Sequence, residues 1–119
     1  MSTVAEAAVL IRDALKVIST LRIYTDTAQP ADPPAVIIGP PNLRWEAACS
    51  DPSHATFPLY LVLPWRDRVM EQMWDLVPEV AAAVEAVRGV VVTGANPGIY
   101  SSPSGELPSY TVTCQVALS

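Results

Sequence analysis

From Thr3 to Ile18 the apolar residues Val4, Ala8, Ile11, Leu15 and Ile18 recur every three or four positions, which lays them on one stripe of a helix. Thr3 and Glu6 stand at the capping-box spacing, in which each side chain answers a backbone N–H that has no partner within the helix. Arg12, Asp13 and Lys16 fall mostly off the stripe. The spacing predicts an amphipathic helix over 3–18 that buries one face.

Leu21 to Tyr24 reads as a short strand, and the "TDTAQPADPP" that follows holds too many prolines to continue a ladder, so it reads as an exposed loop. Ala35 to Ile38 resumes strand character. Gly39-Pro40-Pro41-Asn42 is expected to turn, with Leu43 to Cys49 returning as a hairpin partner, before "SDPSH" turns again. Between 56 and 63, Phe57, Leu59, Leu61 and Leu63 alternate with Tyr60 and Val62, so both faces are apolar, as in a central strand covered on each side. Pro58 lacks an amide hydrogen and must sit near that strand's start or on an unpaired side. Pro64 ends it.

Asp67 is the expected N-cap of a second helix reaching about Val87, with Met70, Met73, Trp74, Val77, Ala81 and Val84 as its apolar face. Trp74 is therefore expected in the core. Pro78 removes one helical hydrogen bond and crowds the preceding turn, at ~3 kcal/mol in an uncompensated interior, so a kink near 74–78 is expected, with two half-helices as the fallback. Arg88-Gly89 closes the helix, Val90 to Thr93 forms a strand, and "GANPGIYSSPSGELP" is too rich in Gly, Pro and Ser for regular structure. Last, Tyr110, Val112, Cys114, Val116 and Leu118 alternate with Thr111, Thr113, Gln115 and Ala117, a strand with one buried side. The order α-β-β-β-β-α-β-β implies an α+β fold: a mostly antiparallel or mixed sheet, both helices on one face, and a single domain over 1–119.

Composition narrows the partners. The net charge is −5, with one lysine and six scattered arginines, which argues against a sequence-independent grip on nucleic acid. Half the residues are apolar, many of them alanine, leaving a modest surplus that a self-associating surface would absorb. Cys49 and Cys114 lack metal spacing and sit among apolar neighbours, so free, reduced thiols are expected. Glu6 stands early with no basic leader, and no uncharged apolar run approaches the ~18 residues of a membrane span, so the expectation is a soluble intracellular chain.

Candidate chemistry is sparse. His54 has Asp51, Ser50 and Ser53 near it in sequence, but Asp51-Pro52-Ser53 is ordinary turn chemistry, and a surface histidine is favoured over a catalytic one. No set of ligands stands at metal spacing, and the Gly94 to Gly98 segment has no strand-to-helix context for a phosphate loop. No catalytic, cofactor or metal residue is therefore assigned. Glu71, Asp75 and Glu79 recur at i, i+4 and i+8, a row of like charges that opposes the helix by ~0.2–0.5 kcal/mol per pair. The plain reading is a solvated face; the sharper one is an acidic ridge offered to a basic partner or lining a passage for DNA. Trp45, between Arg44 and Glu46, is a candidate exposed anchor, and Trp65 a corner plug whose indole N–H reaches a carbonyl or water.

The helix before "RIYTD", the "PPAVIIGPPNLRWE" region, "ATFPLYLVLPWRDRVMEQMWDLVPEVAAAVEAV" and the closing "YTVTCQVAL" together resemble the tail terminator proteins of long-tailed bacteriophages, particularly those infecting actinobacteria. The resemblance covers nearly the whole chain, through motifs of folding rather than chemistry. It implies a non-enzymatic virion subunit, made in the host cytoplasm, that forms a six-membered ring on the tail tube, stops further tube subunits from adding, and offers its opposite surface to the head-completion or connector protein. DNA would pass through without specific binding, and no cofactor or membrane is implied. Contacts with partners or the lumen are assigned to Arg44, Trp45, Glu71, Asp75 and Glu79. The long segments 25–34 and 94–108 are the loops expected to meet tube and connector. The alternatives are another head–tail neck, completion or adaptor protein and, ranked last, a small enzyme using His54 or a cysteine.

Overall fold

The computed structural model describes residues 3–26, 31–46, 51–103 and 105–118. Helix α1 (Val4–Leu15) starts at Thr3, whose hydroxyl accepts the Glu6 amide at 3.0 Å, as the capping spacing predicts. Strands β1 (Arg22–Tyr24), β2 (Ala35–Ile38), β3 (Asn42–Arg44) and β4 (His54–Val62) follow, then helix α2 (Val69–Glu85) and strands β5 (Val90–Ser102) and β6 (Gly105–Ala117). The element order is the expected one, and the fold is α+β with a mixed six-stranded sheet. Its strands run β1-β2-β4-β6-β5, with β3 also on β4; β1 is parallel to β2 and every other pairing is antiparallel.

As both apolar faces required, β4 is the central strand. Its Phe57, Leu59 and Leu61 meet Val112, Cys114 and Val116 of β6, Val36 and Ile38 of β2, and the buried positions of both helices in one core. The helices supply Ala7, Ile11 and Leu15 from α1 and Val69, Met73, Val80, Ala83 and Val84 from α2. Period-two alternation puts all of these strand residues on the same side of the sheet, so both helices cover that side. A smaller cluster of Ala31, Ala35, Ile37, Val62 and Tyr100 occupies the other, where the rings of Tyr60 and Tyr100 lie 5.2 Å apart.

Two expectations about the strands are corrected. The β2–β3 segment is not a hairpin: Ile38 pairs with Leu59 and Asn42 with Thr56, so the chain keeps its direction along β4 and accommodates one extra residue at Gly39-Pro40-Pro41. That interruption faces Pro58, whose missing amide hydrogen therefore lies on a locally unpaired side, and the Pro58 carbonyl accepts the Gly39 amide at 2.8 Å. Gly39 is fixed by space. A Cβ there would stand 2.7 Å from the Tyr60 ring and 2.9 Å from Pro58 Cγ.

The second correction is larger. Within the segment 94–108, expected to be irregular, residues 94–102 and 105–108 belong to the two arms of a long β5–β6 hairpin, with a bulge between Val92 and Gly94. β5 is an edge strand, paired on one side only, which is where Gly and Pro are tolerated in a sheet. Gly105 has a φ of 130°, open to glycine alone at low cost, at the start of the returning strand. Because β4 stops at Val62, opposite Ser109, the paired stretches 99–102 and 105–108 extend past the central strand, where the Leu63 amide donates to the Pro108 carbonyl at 3.3 Å.

α2 begins one residue later than expected. Arg68, not Asp67, is the N-cap, in a left-handed conformation with no side-chain cap. The helix then runs as one element through Pro78 to Glu85, so the two-half-helix fallback is not what forms.

Candidate interaction surfaces

The helix row Glu71, Asp75 and Glu79 is exposed along its length. Among the described residues its carboxylates join no ion pair; those present are Arg12 with Asp13, Lys16 with Asp13, and Arg22 with Asp32, all on the surface. Arg66, just before the helix, donates instead to Gln72 Oε1 at 2.9 Å. The like charges thus remain uncompensated on α2.

Trp74 is not in the core. It is 58% exposed, and its indole N–H donates to the Tyr110 hydroxyl at 3.0 Å. The buried positions of α2 are Val69, Met73, Val80, Ala83 and Val84, a stripe rotated by about one residue from the expected one. The first half of α2 carries Val69, Met70, Met73, Trp74, Leu76 and Val77 in an apolar arc of about 160°, wider than one stripe, so periodicity could not choose which part of it faces the sheet.

Trp65 behaves as a corner residue whose indole N–H finds a carbonyl, that of Glu106 at 3.1 Å, yet its ring is 61% exposed rather than plugging the sheet's end. Glu106, Pro108 and Tyr110 succeed one another on one face of β6, and Ile99 of β5 pairs with Pro108 between the two tryptophan anchor points. Trp65, Ile99, Trp74 and Met70, one helical turn before Trp74, therefore form one exposed apolar patch. Large rings at two corners of a surface, each with its N–H already tied, are an arrangement found at interfaces rather than on inert surface. Sequence reasoning divided these residues between core and corner; the signal it lacked was the partner strand β6, which became visible only once the Pro/Gly-rich segment was seen to be a strand.

Arg44 and Trp45 lie at the far end of the sheet, where Arg44 pairs in register with His54 and Trp45 is 51% exposed. They do not share a surface patch with Trp65 and Trp74, since β4 runs from His54 at one end to Val62 at the other. His54 is half-buried at the start of β4, and its Nδ1 lies 3.0 Å from Ser53 Oγ. That hydroxyl is also 3.1 Å from the Arg44 carbonyl, which accepts the Ser53 amide as well, so this pair staples β3 to the start of β4. Asp51 is exposed, and among the described residues the imidazole's side-chain partner is the Ser53 hydroxyl rather than a carboxylate.

Cys114 is a buried free thiol, and Cys49 lies outside the described residues. Burial pushes the Cys114 thiol up to about 11, partly opposed by a backbone hydrogen bond from Phe57. A thiol held protonated in this way is a poor nucleophile at neutral pH. Tyr100 is shifted upward too, by burial first and then by Tyr60 and Asp26. Both shifts have the same consequence. Stability is intact below the unfolded-state pKa near 9.0 and falls as pH rises toward 11, because the unfolded chain gives up the Cys114 proton first. Urea midpoints at neutral and alkaline pH should reveal a loss of roughly 2–3 kcal/mol attributable to this thiol, and Cys114→Val should show a shallower alkaline decline than the native chain.

Among the described residues no group of three His, Cys, Asp or Glu is arranged to hold a metal, and no helix is long and apolar enough to cross a membrane. Residues 25–34 fall only partly within the described residues, and where described the segment is tied by Arg22 Nη1 and the Tyr24 hydroxyl to Asp32. No protein-family model matches this chain, and no curated protein matches it significantly.

Proposed function

We propose that this chain is a structural subunit of a phage tail that closes with copies of itself into a ring, in six copies by the sequence resemblance, at the end of the tail tube. In that position it ends tube growth, meets the tube protein on one surface and the head-completion or connector protein on the other, and lets DNA pass without gripping it. The observation that carries the reading is the β5 edge of the long hairpin. A lone subunit leaves a strand of thirteen residues paired on one side only, at the margin of a molecule extending 51 × 27 × 21 Å.

Edge strands of this length are normally blunted, because their free N–H and C=O groups template pairing with other chains. Here the blunting is partial: Glu85 Oε2 takes the Val92 amide at 3.1 Å next to the bulge, and Pro97 has no amide hydrogen to offer. Further along, Gly94 and Gly98 have no internal need for glycine, since a Cβ at Gly94 meets nothing within 4 Å and one at Gly98 meets only Ser109 Oγ at 3.9 Å. Glycines of that kind leave room for another backbone to approach. The acidic row of Glu71, Asp75 and Glu79 suits a passage for DNA, where repulsion prevents adhesion.

Deleting the gene from the phage that carries it, and imaging the lysate by negative stain, tests the reading. Overlong tails without heads are the expected result. Tails of normal length would sink it, and normal tails beside unattached heads would favour the alternative of a neck or adaptor protein on the head side.

A further inference from the structure

The Trp65, Met70, Trp74 and Ile99 patch lies beside the first turns of α2, and a second exposed apolar feature lies past its last turn. This is a cleft lined by Leu10, Val87, Arg88, Gly89 and Ala117, with Leu10 43% exposed and Val9 beside it 42% exposed. From Trp74 to the end of α2 at Glu85, eleven residues of helix separate the two, about 17 Å at 1.5 Å per residue. We propose that they are the two halves of one head-to-tail contact, in which the tryptophan knob of one copy seats in the Leu10/Arg88 cleft of the next copy of this chain. The proposal deepens the ring reading above and rests on it for closure of the contacts into a ring.

The knob is built for docking. Hydrogen bonds from Trp65 to the Glu106 carbonyl and from Trp74 to the Tyr110 hydroxyl fix both indoles before any partner arrives, which lowers the ordering cost of binding. Exposed Trp side chains are the residue type most enriched among those that dominate interface energy. Charge selects the occupant. The knob is bordered by the carboxylates of Asp67, Glu71, Asp75 and Glu106 against the guanidiniums of Arg66 and Arg68, an acidic balance. Arg88 is the one charged residue in the lining of the cleft, and among the described residues it joins no ion pair. An apolar knob with an acidic border and an apolar cleft with a cationic wall are thus carried by the same molecule, one at each end of a helix.

That placement also sets the symmetry. Two different patches at opposite ends make a heterologous contact, which leaves one knob and one cleft free at each addition and repeats, into a ring where the rotation between copies closes and into a filament where it does not. An unrelated partner would account for either patch alone; a second copy accounts for both.

Sedimentation velocity of the full chain at low salt, over a concentration series, tests the pairing with two surface charge reversals. Asp75→Lys and Arg88→Glu should each weaken self-association by ~10-fold or more, because each sets like charges against one another at the contact. An equimolar mixture of the two variants should regain it. In the mixture the positive charge that Asp75→Lys places on the knob meets the cleft made acidic by Arg88→Glu, while the unaltered knob of the second variant meets the unaltered cleft of the first. Trp74→Ala should weaken association without rescue by either variant. Native oligomers that ignore both reversals, or a mixture no better than the single variants, would overturn the contact while leaving the ring reading standing. A native chain monomeric at its highest soluble concentration would also overturn the contact, with tail length in the deletion strain deciding the ring reading separately.

Discussion

Phe57→Ala is expected to lower unfolding stability by about 3–5 kcal/mol, the largest effect of any single truncation proposed for this chain. Phe57 is the largest of the fully buried side chains, 1% exposed, and it stands in the central strand between β6 and the interrupted β2–β3 edge. Its ring belongs to the core that both helices share, so removing it leaves a void bounded by elements that are tied to one another. Neighbours cannot collapse into that void easily. β4 is held in register by β6 along its whole length, and Gly39 already lies within contact of Tyr60 and Pro58 on the adjacent side. The measurement is a urea titration followed by far-UV circular dichroism. A loss below about 1 kcal/mol would mean that the core relaxes around the void and that the two-helix cover is looser than the packing described above.

Pro78→Ala should move stability in the opposite direction, by about 1–3 kcal/mol. Within α2 the Pro78 nitrogen cannot donate to the Trp74 carbonyl four residues earlier, and its ring crowds the same turn, a combined cost of ~3 kcal/mol for an interior proline. Pro78 is exposed, so alanine removes little buried contact in exchange. Part of the gain is offset by the greater freedom of the unfolded chain once proline is gone, at about 0.4–1 kcal/mol. A higher urea midpoint at unchanged slope is the expected result. No gain would show that the turn at 74–78 is held by tertiary contacts that the proline does not strain. Trp74 gives the experiment a second use: if the altered turn shifts its indole away from Tyr110, self-association should weaken even as the fold becomes more stable.

Helix α1 and the closing strand were legible because each presents a single apolar face. Thr3 and Glu6 marked the start of α1, and the alternation from Tyr110 to Leu118 marked β6 together with the side of it that meets the core. The central position of β4 was legible for the opposite reason, since it carries apolar residues on both faces, the helix-facing one buried and the other half-buried. Where several apolar stripes were available, as in the first half of α2, periodicity named the helix but not its rotation. Trp74 was therefore expected in the core and is exposed. Of the residues assigned to partner contact, Arg44, Trp45, Glu71, Asp75 and Glu79 are all on the surface. The tryptophan patch at the head of α2 was missed because each indole is anchored on a strand residue far along the chain, 41 positions away for Trp65 and 36 for Trp74.

What the amino-acid sequence determined by itself was local: periodicity, capping and the positions where proline forbids a backbone hydrogen bond, all of which act within a few residues. Only the tertiary structure decided that β2 and β3 continue one line rather than fold back, and that the Gly/Pro-rich stretches 94–102 and 105–108 pair as an extended hairpin. The reason is that strand pairing depends on two distant segments at once. β6 supplies the ladder that holds β5 extended despite its composition, and β4 supplies the edge along which Gly39-Pro40-Pro41 can pass without turning.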